Sequence, residues 1–288
     1  MSTRFRLSLN RLTTSHKDDK KSSLLLLIPL VIIFSGLFLI PVGRLFLRAF
    51  YVEGTFSLIH FQEIVGTSLY IDIIIRTVRI SALTTAITMI LGYALAYYIV
   101  FKSARKRILL LLVFVTMVVD LVIRVFGWVI AFSSGSVFEV LTSPFISDFS
   151  ILFSEPAIVI GLVQFTLPFM IFVSVGVLSN IDITLVEAAR DLGASRVQAF
   201  LKLTLPMSVN AITVGGSLVF ALSMSSFVSP QLLGGARNQM IANTIYSLIG
   251  NTGEWGLAAA LGLTLLAVTA TILLVFIFAV NTALGGNQ

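Results

Sequence analysis

Asp120 and Arg124 stand four residues apart in an otherwise apolar run. Ionisable groups inside such a run are costly in a membrane and usually mark function or pairing. On one continuous helix the two would share a face. They either cancel as an internal ion pair, or leave Asp120 to meet a cationic group on a solute. Gln164 and Thr166 lie beside Pro168, whose ring frees the carbonyl of Gln164 from its helical bond. That combination marks a kink, either ordinary or lining a path. Thr213, Ser217, Ala221, Ser225 and Ser229 recur every four residues, a stripe that suits close helix packing or a wetted face. Ser223 and Ser226 add hydroxyls beside it. Arg76 and Arg79 read as snorkelling to the interface. This is the chemistry of recognition and passage. No cysteine is present, and the two histidines, His16 and His60, are too few and too separated for a histidine metal site. No phosphate-binding loop occurs, since Gly234-Gly235 runs into Ala236-Arg237.

The elements that must position these residues follow from composition. The chain has 288 residues, 57% hydrophobic and 11% charged, with mean hydropathy +1.04. A soluble domain carries roughly 25% charged residues. Too little charge is available to cover a water-facing surface, so an all-α polytopic membrane protein is expected. The net charge of +6 lies at the edges of apolar runs, as topology requires, and is no nucleic-acid footprint.

A membrane helix needs about 20 apolar residues. Six runs qualify: 23–47, 73–101, 108–132, 156–179, 209–229 and 257–280. The expected organisation is an N-tail over 1–22 and a transmembrane domain over 23–288. The first run is longer than a signal-peptide core and no Ala-x-Ala site follows it, so it reads as an uncleaved span. Lys and Arg cluster in the tail (Arg4, Arg6, Arg11, Lys17, Lys20, Lys21), at Lys102–Arg107, and at Arg190, Arg196 and Lys202. Ser133–Glu155 holds Glu139, Asp148 and Glu155 with no basic residue, and Gln231–Gly256 holds only Arg237. Both termini and the segment around Glu187 are therefore expected in the cytoplasm. Arg44 and Arg48 dissent mildly and fit a first helix that continues past the membrane. The acids of the outer loops would suit attraction of a cation, although the topology gives the same bias.

The segment 181–206 reads as two short helices. Thr184-x-x-Glu187 and Ser195-x-x-Gln198 match capping boxes. Gly193 suits a left-handed helix end, and Pro206 marks a break before the fifth span. Ala188 and Ala189 leave little bulk, so another backbone can come close. Glu187-Ala188-Ala189, Gly193, then Leu203-x-Leu205-Pro206 resembles the EAA loop of permease subunits in binding-protein-dependent ABC importers. The resemblance implies a type I importer permease fold with six transmembrane helices and a cytoplasmic two-helix coupling loop. It implies that Glu187, Ala188, Ala189, Asp191 and Gly193 contact an ATPase. Leu203, Leu205 and Pro206 would join that contact to the fifth span.

Two further stretches are similar to the spermidine/putrescine-type branch: Asp120 through Gly127-Trp128, and Phe227-Val-Ser-Pro230 through Gly234-Gly235 to Ile241-Ala-Asn243. Members of the branch often place an acid where this chain has Ser226, and Asp120 is the alternative negative charge. The expected substrate path comprises Asp120, Arg124, Trp128, Gln164, Ser223 and Ser226. The resemblance implies two copies of an ATPase subunit holding ATP and Mg, a second homologous permease, and a periplasmic or lipid-anchored binding protein. Membrane lipid is the remaining partner, with no nucleic acid and no cofactor on the chain itself. Polyamines are the expected cargo, with opine-like compounds, phosphonates or another small solute as alternatives. An ion-driven secondary transporter would leave the Glu187 segment unexplained, and no internal repeat supports it.

Overall fold

The computed structural model describes residues 29, 31–52, 54–133 and 151–284. The basic N-tail, Glu139 and Asp148 lie outside the described residues. Helix α1 spans Val31–Phe50 and includes a π-helical turn at Ser35–Leu39 just before Pro41. Proline has no N–H to return to the preceding turn, and the wider π turn absorbs that gap. The helix does run on through Arg44 and Arg48. The Arg48 guanidinium lies 5.6 Å from the Trp255 ring, a cation–π contact with the last helix. A two-stranded hairpin, β1 (Tyr51–Val52) and β2 (Thr55–Phe56), leads to α2 (Ile59–Gly66).

Helix α3 runs over Ser68–Phe101. At about 1.5 Å per residue its 34 residues extend roughly 51 Å. A hydrocarbon core is about 30 Å thick, so α3 has length to spare at both ends. Its buried face carries Thr77, Ser81, Thr84, Thr85, Thr88, Gly92 and Ala96. Thr77 and Thr85 donate their hydroxyls to the carbonyls of Ile73 and Ser81, four residues back. A hydroxyl satisfied this way can sit in an apolar setting without an orphan donor.

The run expected as one straight third span is two helices, α4 (Lys106–Val118) and α5 (Leu121–Phe132), bent by 90°. The cause is Asp120. Its carboxylate accepts the Val122 N–H at 2.8 Å and caps α5, with an extended backbone that no continuous helix allows. Helix α6 (Glu155–Leu178) opens with Glu155-Pro156 and continues through the buried Pro168.

Helix α7 covers Ile183–Asp191. Helix α8 covers Arg196–Met207, with a π-helical stretch at Phe200–Thr204 just ahead of Pro206. Helix α9 is Val209–Met224 and meets α8 at 64°. The break falls at Ser208, not at Pro206. Pro206 lies in the last turn of α8, and the π-helical stretch ahead of it accommodates the missing N–H. The buried Ser208 hydroxyl donates to the Thr204 and Leu205 carbonyls and pairs with the Tyr93 hydroxyl at 2.6 Å. The fifth span also stops at Met224, ahead of the expected 229. A non-helical step then leads to a π turn at Pro230–Gly234, to α10 (Ile241–Ser247), and to α11 (Trp255–Leu284). Among the described residues, four helices are long and apolar enough to cross a membrane, and up to six crossings result if each bent pair counts as one.

The centre of the fold is α3, α6 and α9. Met170 of α6, fully buried, fills the notches left by Gly92 of α3 and Gly215 of α9. Thr88 and Thr166 join α3 to α6 through a buried hydroxyl pair at 3.1 Å. Small residues let backbones approach, and van der Waals contact then holds helices where lipid supplies no hydrophobic drive. Helix α11 packs on α1, α9 and α10 at one side.

Candidate functional site

The α7–α8 segment is built by three local devices. Asp182, with extended backbone, accepts the Thr184 N–H at 3.0 Å and caps α7. That bond, with a further one from the Thr184 side chain, holds the Asp182 carboxyl below the usual carboxylate range. The capping box expected from Thr184 and Glu187 is therefore absent: Thr184 already lies inside the helix, and Asp182 is the cap. Gly193 ends α7 at φ 93°, a conformation that side chains rarely adopt. Its N–H bonds the Arg190 carbonyl and the Ala194 N–H bonds the Ala189 carbonyl, both at 3.0 Å. The second capping box does form. Gln198 N–H reaches the Ser195 hydroxyl at 3.2 Å, and Ser195 N–H reaches the Gln198 carbonyl oxygen at 2.9 Å.

Relief from capping leaves Glu187 exposed, with no hydrogen bond or ion pair among the described residues. Ala188, Asp191 and Gly193 are exposed with it, and Ala189 is half-buried. Around them Leu192 is 90% exposed and Val197 65%. Behind this face, Leu203 and Pro206 are half-buried and Ala199 and Thr204 are buried. Phe200 packs edge-on against Tyr97 and Tyr93 of α3, with ring centroids at 5.4 and 6.2 Å. A displacement of α7–α8 thus reaches α3 through Phe200 and α9 through Ser208.

At the other end, the structure brings Trp128 and Gln164 together: the indole N–H donates to the Gln164 carbonyl oxygen at 2.9 Å. Arg124 lies beside them, 5.9 Å from the Phe165 ring, and its Nε and Nη1 are buried with no hydrogen-bond partner. Asp120 makes no ion pair with it and acts on its charge only from a distance. The aspartate sits on the break, exposed and spent on Val122, so the shared-face ion pair is not formed. Ser223 and Ser226 are buried, and Ser223 donates to the Val219 carbonyl at 2.8 Å. Of the small-residue stripe, Ser225 is exposed, whereas Ser229 is buried close to Gly161 of α6, in packing.

A clasp unforeseen from the sequence closes the same end. Glu155 pairs with both Arg76, at 3.5 Å, and Arg79. Arg76 also donates to the carbonyls of Arg237, at 3.0 Å, and Gln239. The two arginines pair with Glu155, which is thereby neutralised and unavailable to attract a free cation. The local signal was the i, i+3 spacing of the arginines and a glutamate at a helix start. Asn243 is likewise structural: its side-chain N–H groups bind the Phe227 carbonyl and the Gln231 side chain, fixing the Phe227–Gly234 segment. Among the described residues, no group of three His, Cys, Asp or Glu side chains could hold a metal ion.

The sequence pattern of the family described as "Binding-protein-dependent transport system inner membrane component" matches residues 88–284. The spermidine/putrescine transport system permease protein PotB of Escherichia coli (strain K12) is 32% identical over 245 residues, covering 83% of this chain and 89% of the relative. PotB of Haemophilus influenzae is 32% identical over 220 residues, 73% of this chain and 74% of that one. Among solved structures, a bacterial ABC transporter involved in the import of the acidic polysaccharide alginate superposes with TM-score 0.75 at 20% identity, over 96% of this chain and 99% of that chain.

Proposed function

The chain belongs to the inner-membrane components of binding-protein-dependent transport systems, and from that premise we propose that it is the translocation subunit of an ATP-driven polyamine importer. It is a multi-pass protein of the inner membrane. The observation that carries the reading is the α7–α8 face, exposed among the described residues, braced on α3 and α9 and lying within the family match. The face is oriented to the cytoplasm, where Lys and Arg concentrate. Glu187, Ala188, Ala189, Asp191 and Gly193 dock an ATPase subunit there. ATP and Mg are held by that subunit, two copies serving this chain and a second, homologous permease. A binding protein delivers spermidine, putrescine or a related small amine to the outer face.

The cargo path runs past Trp128 and Gln164, with Asp120 at its rim. Arg124 sits close by, with no carboxylate within ion-pair distance among the described residues. An elongated cation would be repelled from it and steered toward the exposed Asp120. Purified chain, free of other subunits, is expected to hydrolyse no ATP, and measurable turnover would defeat the assignment. In a strain deleted for this gene, labelled putrescine and spermidine uptake is expected to fall to background and to return on complementation. Opines and phosphonates should not compete. Unchanged polyamine uptake in the deletion strain would reject polyamines as cargo.

A further inference from the structure

Lys102, Arg190 and Arg196 line a cleft of about 690 Å³ between the C-terminal end of α3 and the α7–α8 segment. Glu187 is the lone carboxylate on its wall, and none of the three cations is within ion-pair distance of any carboxylate among the described residues. The cleft does not end there. Tyr97 and Phe200 form part of its wall and also part of a second, almost purely apolar groove with Met89, Ile90, Ala94 and Ile212. Met89 and Ile90 in turn border a third, apolar hollow with Ala86, Gly216 and Phe276. A cationic mouth thus opens onto an oily trough along α3.

The depth of this feature can be measured on α3 itself. The charged Arg79–Glu155 pair is taken as one membrane boundary, because ionised side chains settle outside the hydrocarbon. Lys102 lies 23 positions later on the same helix, about 34 Å along the axis. That is the hydrocarbon thickness plus a few ångströms, which puts Lys102 in the headgroup layer of the opposite leaflet. The trough from Tyr97 back to Ala86 lies at the depth of acyl chains.

We propose that this cleft and trough are a binding site for one anionic diacyl phospholipid of the cytoplasmic leaflet, with its phosphate among Lys102, Arg190 and Arg196 and its chains along Met89, Ile90 and Ala94. Charge and polarity together select the occupant. A free phosphate would use the mouth and leave the trough empty. The chain's own N-tail carries six basic residues against Asp18 and Asp19 and would be repelled by the mouth. A helix of another subunit would suit the trough and leave three cations without a counter-charge. The site touches the wall of α7, so an anionic lipid would brace the coupling segment against α3.

The inference rests on the cytoplasmic placement of α7–α8, which a separate readout tests: a single Leu192→Cys labelled by impermeant maleimide in inside-out but not right-side-out vesicles. The lipid itself is counted by native mass spectrometry of the assembled transporter. The transporter is purified with equimolar dioleoyl phosphatidylglycerol and dioleoyl phosphatidylcholine. One tightly held phosphatidylglycerol per chain is expected. Each basic residue near a lipid surface contributes about fivefold in affinity, so Lys102→Glu with Arg196→Glu should weaken retention by roughly 25-fold or more. Should that pair fail to assemble, Lys102→Gln and Arg196→Gln make the same test with smaller loss. Ala94→Phe, which fills the trough and leaves the charges, should also release the lipid. Equal retention of the two lipids would overturn the proposal. So would complete displacement by glycerol 3-phosphate, retention unchanged in Ala94→Phe, or a photo-crosslinker at Ile90 that labels the second permease and no lipid.

Discussion

Gly193→Asp is expected to reduce uptake to background while the protein stays in the membrane at normal amount. The side chain itself clashes with nothing, since a Cβ at this position has open space around it. The damage is in the backbone. At φ 93° an L side chain is strained by about 1–2 kcal/mol. That is enough to pull the Gly193 and Ala194 N–H groups off the Arg190 and Ala189 carbonyls and re-aim α7 against α8. The cores of α3, α6 and α9 do not contain Gly193, so folding survives and docking is lost. Gly193→Ala carries the strain alone and should fall between. Glu187→Lys should match Gly193→Asp by a different route, because the carboxylate is exposed with no partner among the described residues, and reversing its sign repels whatever pairs with it. The measurements are uptake in whole cells and the fraction of ATPase subunit that sediments with membranes. Full transport by Gly193→Asp, with the ATPase still sedimenting, would remove α7 from the coupling path.

The second large effect lies in the helix core. Gly92→Leu is expected to abolish stable protein, and shortening Met170 to Ala in the same chain to restore part of it. A Cβ at Gly92 would stand 2.6 Å from Met170 Cγ. Met170 cannot retreat, because its Sδ already lies 2.6 Å from where a Cβ on Gly215 would be. Overpacking of a filled core costs roughly 1–3 kcal/mol per added group, and here two helices resist the same side chain. Met170→Ala alone leaves a cavity and costs roughly 2–5 kcal/mol. The two changes should therefore combine to less than their sum, a coupling that a double-mutant cycle on thermal midpoints in detergent will report. Additive losses would mean that Gly92 and Met170 do not meet.

The α7–α8 segment was readable because its signals are local: a helix-ending glycine, a Ser-x-x-Gln box and small residues, all within one loop. Even there Asp182, two residues upstream, takes the cap from Thr184, because where the backbone turns from extended to helical depends on angles that residue spacing does not carry. The bend at Asp120 was misread for a physical reason. An aspartate in an apolar run has two ways to be tolerated, an ion pair or a bond to a freed N–H, and hydropathy does not separate them. The Arg76–Glu155–Arg237 clasp joins distant parts of the chain, and the i, i+3 spacing of Arg76 and Arg79 does not say which carboxylate they meet. The threonine face of α3 escaped notice because a threonine whose hydroxyl bonds its own helix passes as nearly apolar.

Ser208 is a joint that carries its own solvent. A bend in a membrane helix normally strips carbonyls of partners in a place where water cannot replace them. Here one hydroxyl stands between the Thr204 and Leu205 carbonyls and the Tyr93 ring. As α8 swings, each carbonyl can be handed between backbone N–H and hydroxyl without ever being bare. The swing then costs the exchange of one hydrogen bond, about 1 kcal/mol, in place of a dehydrated dipole.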